Sequence, residues 1–267
     1  MLPGKYIQIL LVTLLLFTAL SCSLKKEIIP DDPVAKYTIR ESINNYSSDD
    51  WEIRLNAIQR ASKYGNSIYA KNVILLMLLA ADDYHPLVRI EALRCLKIIK
   101  AESALDKIRE IAMDDSDRNV RRAAISALQD YALEANAGIF ISGIESNDWL
   151  IREESYIGLI KIDPDDIQKK FLNLLINGIK DRNISVQIAI LNNITIKDPL
   201  LYHEISGLIN NRDTKASLLR GALVAVKGYT FDEKTRSRLF ELLTHRNRDI
   251  RVLSLQALKR EKIEMNY

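Results

Sequence analysis

The stretch Val120-Arg121-Arg122-Ala123-Ala124-Ile125-Ser126-Ala127-Leu128 reads as apolar-Arg-x-x-small-x-x-small-Leu. Variants of the same frame recur at Ile53-Arg54, Val88-Arg89, Ile151-Arg152, Val186-Gln187, Leu219-Arg220 and Ile250-Arg251. Counted from Arg to Arg, with Gln187 filling one place, the steps are 35, 32, 31, 35, 33 and 31 residues. A drifting period of this size marks stacked helical hairpins. The expected fold is therefore all-α: an α-solenoid, a right-handed superhelix of about seven helix pairs.

Each repeat reads as two helices joined by a short turn. The pairs fall at about 33–45 and 50–64, 67–80 and 86–99, 102–113 and 117–131, 134–146 and 148–161, 164–179 and 183–195, 198–210 and 214–228, and 231–244 and 247–260. Asp32-Pro33, Asp163-Pro164 and Asp198-Pro199 offer an N-cap followed by proline at the first helical position, and Pro86 opens another helix. Asp49-x-x-Glu52 and Thr230-x-x-Glu233 resemble capping boxes. Gly65 ends a helix. No stretch alternates with period two between turn signals, so no strand is expected.

In the second helices the residue before the Arg, and those three, four and seven after it, recur as apolar or small. That spacing traces one helical face. Small residues three and six after the Arg (Ala124 and Ala127, Ala92 and Cys95, Ser155 and Gly158) let neighbouring helices come close. One pair cannot cover its own apolar stripe, and stacking against the next pair does so. The helix Ile68 to Ala80 is apolar almost all round, which fits burial, and it is too short to span a bilayer.

The recurring Arg lies beside the core face, and an Asp precedes it by four residues at Asp50, Asp117 and Asp148. With these residues, about 34–260 resembles the HEAT-like repeat family, including the variety found in phycobilisome lyases. The resemblance implies Asp–Arg ladders joining adjacent turns. It makes Arg54, Arg89, Arg121, Arg152, Arg220 and Arg251 structural. Gln187 keeps the hydrogen bonding without the charge, so a looser joint is expected there.

The chain has 267 residues, 48% of them hydrophobic and 27% charged, enough for a sizeable core and unlike a disordered chain. The formal net charge of +3 gives no long-range pull towards nucleic acid. The N-terminus differs from the rest. Lys5 precedes a 14-residue apolar run, Ile7 to Leu20, which is short for a membrane span but suits a secretory signal. Ala19-Leu20-Ser21-Cys22 resembles a relaxed lipobox of bacterial lipoproteins, with Ala19 where Leu is usual. In that family cleavage precedes the Cys, and the Cys carries diacylglycerol. The expected layout is a signal peptide over 1–21, a lipid-anchored tether over 22–33 with Cys22 as the lipidation site, the repeat domain over 34–260 and a tail over 261–267. An ordinary signal peptide with an incidental cysteine is the alternative. Multiple acyl chains would hold the protein on a membrane, in the bacterial envelope. Ser23 after the anchor fits, by family analogy, the outer membrane. Cys95 would then be a lone, buried, inert thiol.

Nothing points to chemistry. His85, His203 and His245 are far apart in sequence, and His203-Glu204 is a single His-Glu pair where HEAT-like hydroxylases use several to hold iron. Zinc needs about four ligands, and two Cys with distant His do not suggest it. There is no phosphate loop, nucleophile elbow or His-Glu-x-x-His. The acidic runs 163–166 and 114–117 lack the Gly and Glu of an EF-hand and are read as helix caps. No cofactor, metal, small-molecule substrate or nucleic acid is expected.

Second helices of such arrays line a concave side, and the positions two and five after the Arg are expected to be exposed. These are Asn56 and Gln59, Glu91 and Arg94, Ala123 and Ser126, Glu154 and Ile157, Ala189 and Asn192, Ala222 and Ala225, and Leu253 and Gln256. Glu91, Arg94, Ser126, Glu154, Ile157 and Asn192 are the expected contacts of a partner protein, with small residues making room in the C-terminal half. The reading is a membrane-tethered, non-catalytic scaffold. A lyase-like or chaperone-like activity on a protein substrate and a purely structural envelope lipoprotein are the alternatives.

Overall fold

The computed structural model describes residues 32–131, 134–162 and 171–264. The signal segment, Cys22, the tether up to residue 31, the Asp163-Pro164 start with its acidic run, and residues 265–267 lie outside the described residues. Among the described residues there is no strand. The helices are α1 (Pro33–Asn45), α2 (Trp51–Ser62), α3 (Ala70–Ala80), α4 (Pro86–Ile99), α5 (Leu105–Asp114), α6 (Arg118–Leu128), α7 (Ala137–Ile144), α8 (Trp149–Lys161), α9 (Leu172–Ile179), α10 (Ile184–Asn193), α11 (Pro199–Asn210), α12 (Ala216–Ala225), α13 (Glu233–Leu242) and α14 (Arg248–Glu264). The fold is an all-α solenoid: odd helices are the first and even helices the second of each pair. The chain forms two compact units, residues 1–127 and 128–267.

Local chemistry sets the helix starts. Asp32, Asp50, Asp148, Asn183 and Asp198 each accept a hydrogen bond from the backbone N–H two residues on, at 2.8–3.0 Å. Pro33, Pro86 and Pro199 sit at first-turn positions where no N–H is needed. Two starts differ from the sequence reading. The cap of α2 is Asp50, not Asp49. The cap of α13 is Asp232, not Thr230, because the Asp232 carboxylate takes both the N–H and the hydroxyl of Thr235. At the other end α14 runs to Glu264, past the expected boundary at 260. Glu261 is buried there and binds the Phe231 N–H at 3.0 Å and the Arg236 guanidinium.

The residue whose N–H bonds the N-cap carbonyl defines a common zero position in the second helices. It is Arg54, Arg89, Arg121, Arg152, Gln187, Leu219 and Arg251. The sequence reading placed Arg220 there. The structure places Leu219 there instead, so Arg220 is one step on, exposed, 3.6 Å from Asp249 and outside the ladder. Lys215, not Ala216, occupies the N-cap, and this shifts the frame by one.

The ladder is built differently from the expected pairing four residues apart. Asp50, Asp117 and Asp148 cap their own helices. The carboxylates that receive the arginines lie six residues before the next zero position. Arg54 holds Asp83 through two bonds at 2.7 and 2.9 Å, Arg89 holds Asp115 at 2.8 Å twice, and Arg152 holds Asp181 at 2.8 Å twice. The remaining nitrogen, Nη1, donates to carbonyls of the arginine's own turn: Ser48 and Asp49 for Arg54, Asp83 and Tyr84 for Arg89, Ser146 and Asn147 for Arg152. Arg121 and Arg251 keep this half of the arrangement, through Asp115 and Ser116 and through His245 and Arg246. Gln187 donates to the Asp181 carbonyl. Asp83 also accepts from the Tyr46 hydroxyl and the His85 N–H, and the Tyr84 ring covers Arg54 at 4.2 Å. Burial alone would push the Asp83 carboxyl up. The bonds from Arg54, the His85 N–H and Tyr46 outweigh it and bring the group below the usual carboxylate range.

Position +4 is the seat between repeats. Ile58, Leu93, Ile125, Tyr156, Leu191 and Leu223 are all buried there. Position +2 of the following repeat is its floor: a Cβ on Gly221 would lie 3.2 Å from Leu191. Positions +3 and +7 are equally buried, from Ala57 and Ala61 to Ser254 and Leu258. Within the fourth pair, Gly158 admits Phe140 so closely that a Cβ would lie 2.4 Å from the fully buried ring.

Two predictions follow from this packing. Arg54→Met strands a buried carboxylate and should cost about 3–5 kcal/mol at pH 7, whereas Arg220→Met, at an exposed position, should change stability by less than about 0.5 kcal/mol. In the wild type Asp83 has a lowered folded pKa, so its contribution is present above about pH 4 and is lost as pH falls through the folded value. In Arg54→Met the unpaired carboxyl shifts up instead, so the deficit should shrink on acidification. Urea unfolding at pH 7 and pH 5 measures both. Secondly, Gly158→Ala overpacks Phe140 and should destabilise by about 1–2 kcal/mol. Gly207→Ala, with nothing within 4 Å of the added Cβ, should stabilise by about 0.5–1 kcal/mol.

Candidate protein-binding groove

At 3.6 residues per turn, the core positions −1, +3, +6 and +7 of a second helix centre on one direction, and +1, +5 and +8 lie opposite. The open face is therefore +1/+5/+8, not the +2/+5 of the sequence reading. Position +2 turns towards the preceding repeat, so Glu91, Ala189 and Gly221 are buried. Ala222 and Ala225, read with the shifted frame, are core residues at +3 and +6.

In the second unit this open face forms a groove of about 590 Å³ across α10, α12 and α14. Its apolar lining is Ile188, Gly221, Val224, Val252 and Leu253. Its polar lining is Asn192, Ser217, Arg220, Arg248, Asp249 and Gln256. The three stripes are Ile188/Asn192/Thr195, Arg220/Val224/Lys227 and Val252/Gln256/Lys259. Gly221 leaves α12 without a side chain beside Leu191 and Asn192, and this deepens the trough.

Of the six expected contacts, Asn192 lines this groove. Glu91 is buried in the first unit, with both carboxylate oxygens on the Arg94 guanidinium and one facing the Cys95 sulfur at 3.9 Å. Arg94 is exposed but committed to that pair. Ser126 accepts from Lys97 at 3.2 Å. Glu154 accepts from Gln129 Nε2 at 2.7 Å, and Ile157 is half-buried on α8. The groove residues Arg220, Gly221, Val224, Arg248, Asp249 and Val252 were missed. The legible signal was the acid six before the zero position: Asp213 is six before Leu219, as Asp83 is six before Arg89.

The remaining reactive groups are occupied structurally. Burial pushes the Cys95 thiol up to about 11, so it is a poor nucleophile. His85 stacks on Trp51 at 4.2 Å, and His245 Nδ1 accepts from the Asn247 N–H. Among the described residues no three or more His, Cys, Asp or Glu side chains gather to hold a metal, and no helix is long and apolar enough to cross a membrane.

Residues 39–129 match the family of HEAT repeats. No curated protein matches the chain. A crystal structure of an engineered protein is similar at 15% identity and a TM-score of 0.41, covering 84% of this chain and 96% of that one. The family match covers residues 39–129, and helix pairs of the same register run on beyond it.

Proposed function

We propose that this chain is a lipid-anchored scaffold of the bacterial envelope that holds a partner protein in the groove of α10, α12 and α14. HEAT repeats support a role in protein interaction. The observation that carries the reading is the groove itself: Val252 is 43% exposed and Arg248 is exposed, on a face the packing leaves unused. An apolar trough edged with polar groups is the form that protein-binding surfaces take. The anchor rests on the sequence alone, on the apolar run ending in Ala19-Leu20-Ser21-Cys22. Tethering would confine the groove to a membrane surface and raise its effective concentration for partners held there. The scaffold needs no chemistry of its own.

A photo-crosslinking amino acid at Val224 or Gln256, introduced in native cells, should give a discrete higher-mass species. The same residue at Leu200, exposed on α11, should not. Equal products from all three sites would sink the groove. Separately, labelled palmitate should enter the wild-type chain and be lost in Cys22→Ser, with the protein moving from the membrane to the soluble fraction. Label retained in Cys22→Ser would exclude the anchor.

A further inference from the structure

The charges around the groove are one-sided. Arg220 and Arg248 line it, Lys215 sits at the N-cap of α12, Lys227 follows the end of α12, and Lys259 lies at +8 on α14. Asp249 is the acidic side chain in the lining, and its contact to Arg220 is long, 3.6 Å between two groups each more than half exposed. In the lining two cations therefore stand beside one carboxylate, and three lysines lie outside it. Two more features act in the same direction. Lys215 supplies no side-chain cap to the first-turn N–H groups of α12. The helix dipole adds partial positive charge at that end. The chain's formal net charge of +3 hides this local excess.

We propose that the groove takes an extended acidic segment of a partner protein, with Asp or Glu side chains at its edges and aliphatic side chains between them. This rests on the groove reading above and adds the chemistry of the occupant. Three second helices at ~9 Å spacing span roughly 18 Å, the length of five or six residues of extended chain. Over that length the partner would meet Arg248 and Arg220 on one edge and Lys227 and Lys259 on the other. Ile188, Val224, Val252 and Leu253 give the apolar contact. The amides of Asn192 and Gln256 each carry a donor and an acceptor, which suits the unpaired backbone of an extended segment.

The test is selection of random twelve-residue displayed peptides on the full chain, followed by titration of the winners against variants. Circular dichroism confirms that each variant folds. The expected winners are enriched in Asp and Glu. They should bind roughly tenfold or more weakly to Arg220→Glu/Arg248→Glu and lose affinity as salt rises. Val224→Trp, which fills the trough, should abolish binding. Winners without acidic bias, lost in Val224→Trp but indifferent to the charge reversal, would overturn the acidic occupant and leave the groove standing. Winners that ignore Val224→Trp would overturn both.

Discussion

The guanidinium near the start of a second helix, complete at Arg54, Arg89 and Arg152, is the joint on which the array depends. It is planar and has five N–H donors in a fixed fork. One edge grips the carboxylate of the next turn, and the opposite nitrogen grips two carbonyls of its own. A lysine could supply the charge but not both directions at once. The pair is nearly dry at Arg54–Asp83 and Arg152–Asp181, where each charge would be costly alone. The carboxylate in turn binds an N–H of its own turn, so each rung fixes two turns and the distance between them. Register is what this interaction controls. The apolar contacts below it favour closeness without choosing an alignment.

Given the register, packing becomes repetitive. A large residue at +4 is buried in six of the second helices, with Leu191 close against Gly221 of the next, and small residues at +3 and +6 bring backbones together. Stability then resides in nearest-neighbour interfaces. The face opposite the core is left over by this arithmetic. In the first unit it is partly consumed by internal pairs such as Glu91–Arg94 and Lys97–Ser126. In the second unit it forms the groove across α10, α12 and α14.

Much of the fold was legible because hydrophobic periodicity and caps are local signals. The helix pairs, the proline starts and the burial of Cys95 all follow from a few neighbouring residues. The ladder was only half legible. Its arginines stand in the pattern, but their acids lie 26–29 residues away, and the nearer aspartates were a decoy occupied with capping. The error at Arg220 has the same root. An apolar-Arg pair matched the motif, whereas the backbone start at Lys215 sets the true frame. A one-residue slip rotates every assignment by about 100°. That turned core alanines into expected surface, and a groove arginine into an expected structural one. Glu261 was missed because its partners, Phe231 just before α13 and Arg236 on it, lie 30 and 25 residues away.

In α14 the +4 position is left open. Leu255 holds that position in α14 and is 43% exposed, and Phe240 on α13 is 53% exposed. Both are large apolar side chains open to solvent. An additional helix pair copied from within the array would have these side chains to pack against. The protein is in this sense extensible, and its length is a parameter that an engineer could raise one module at a time.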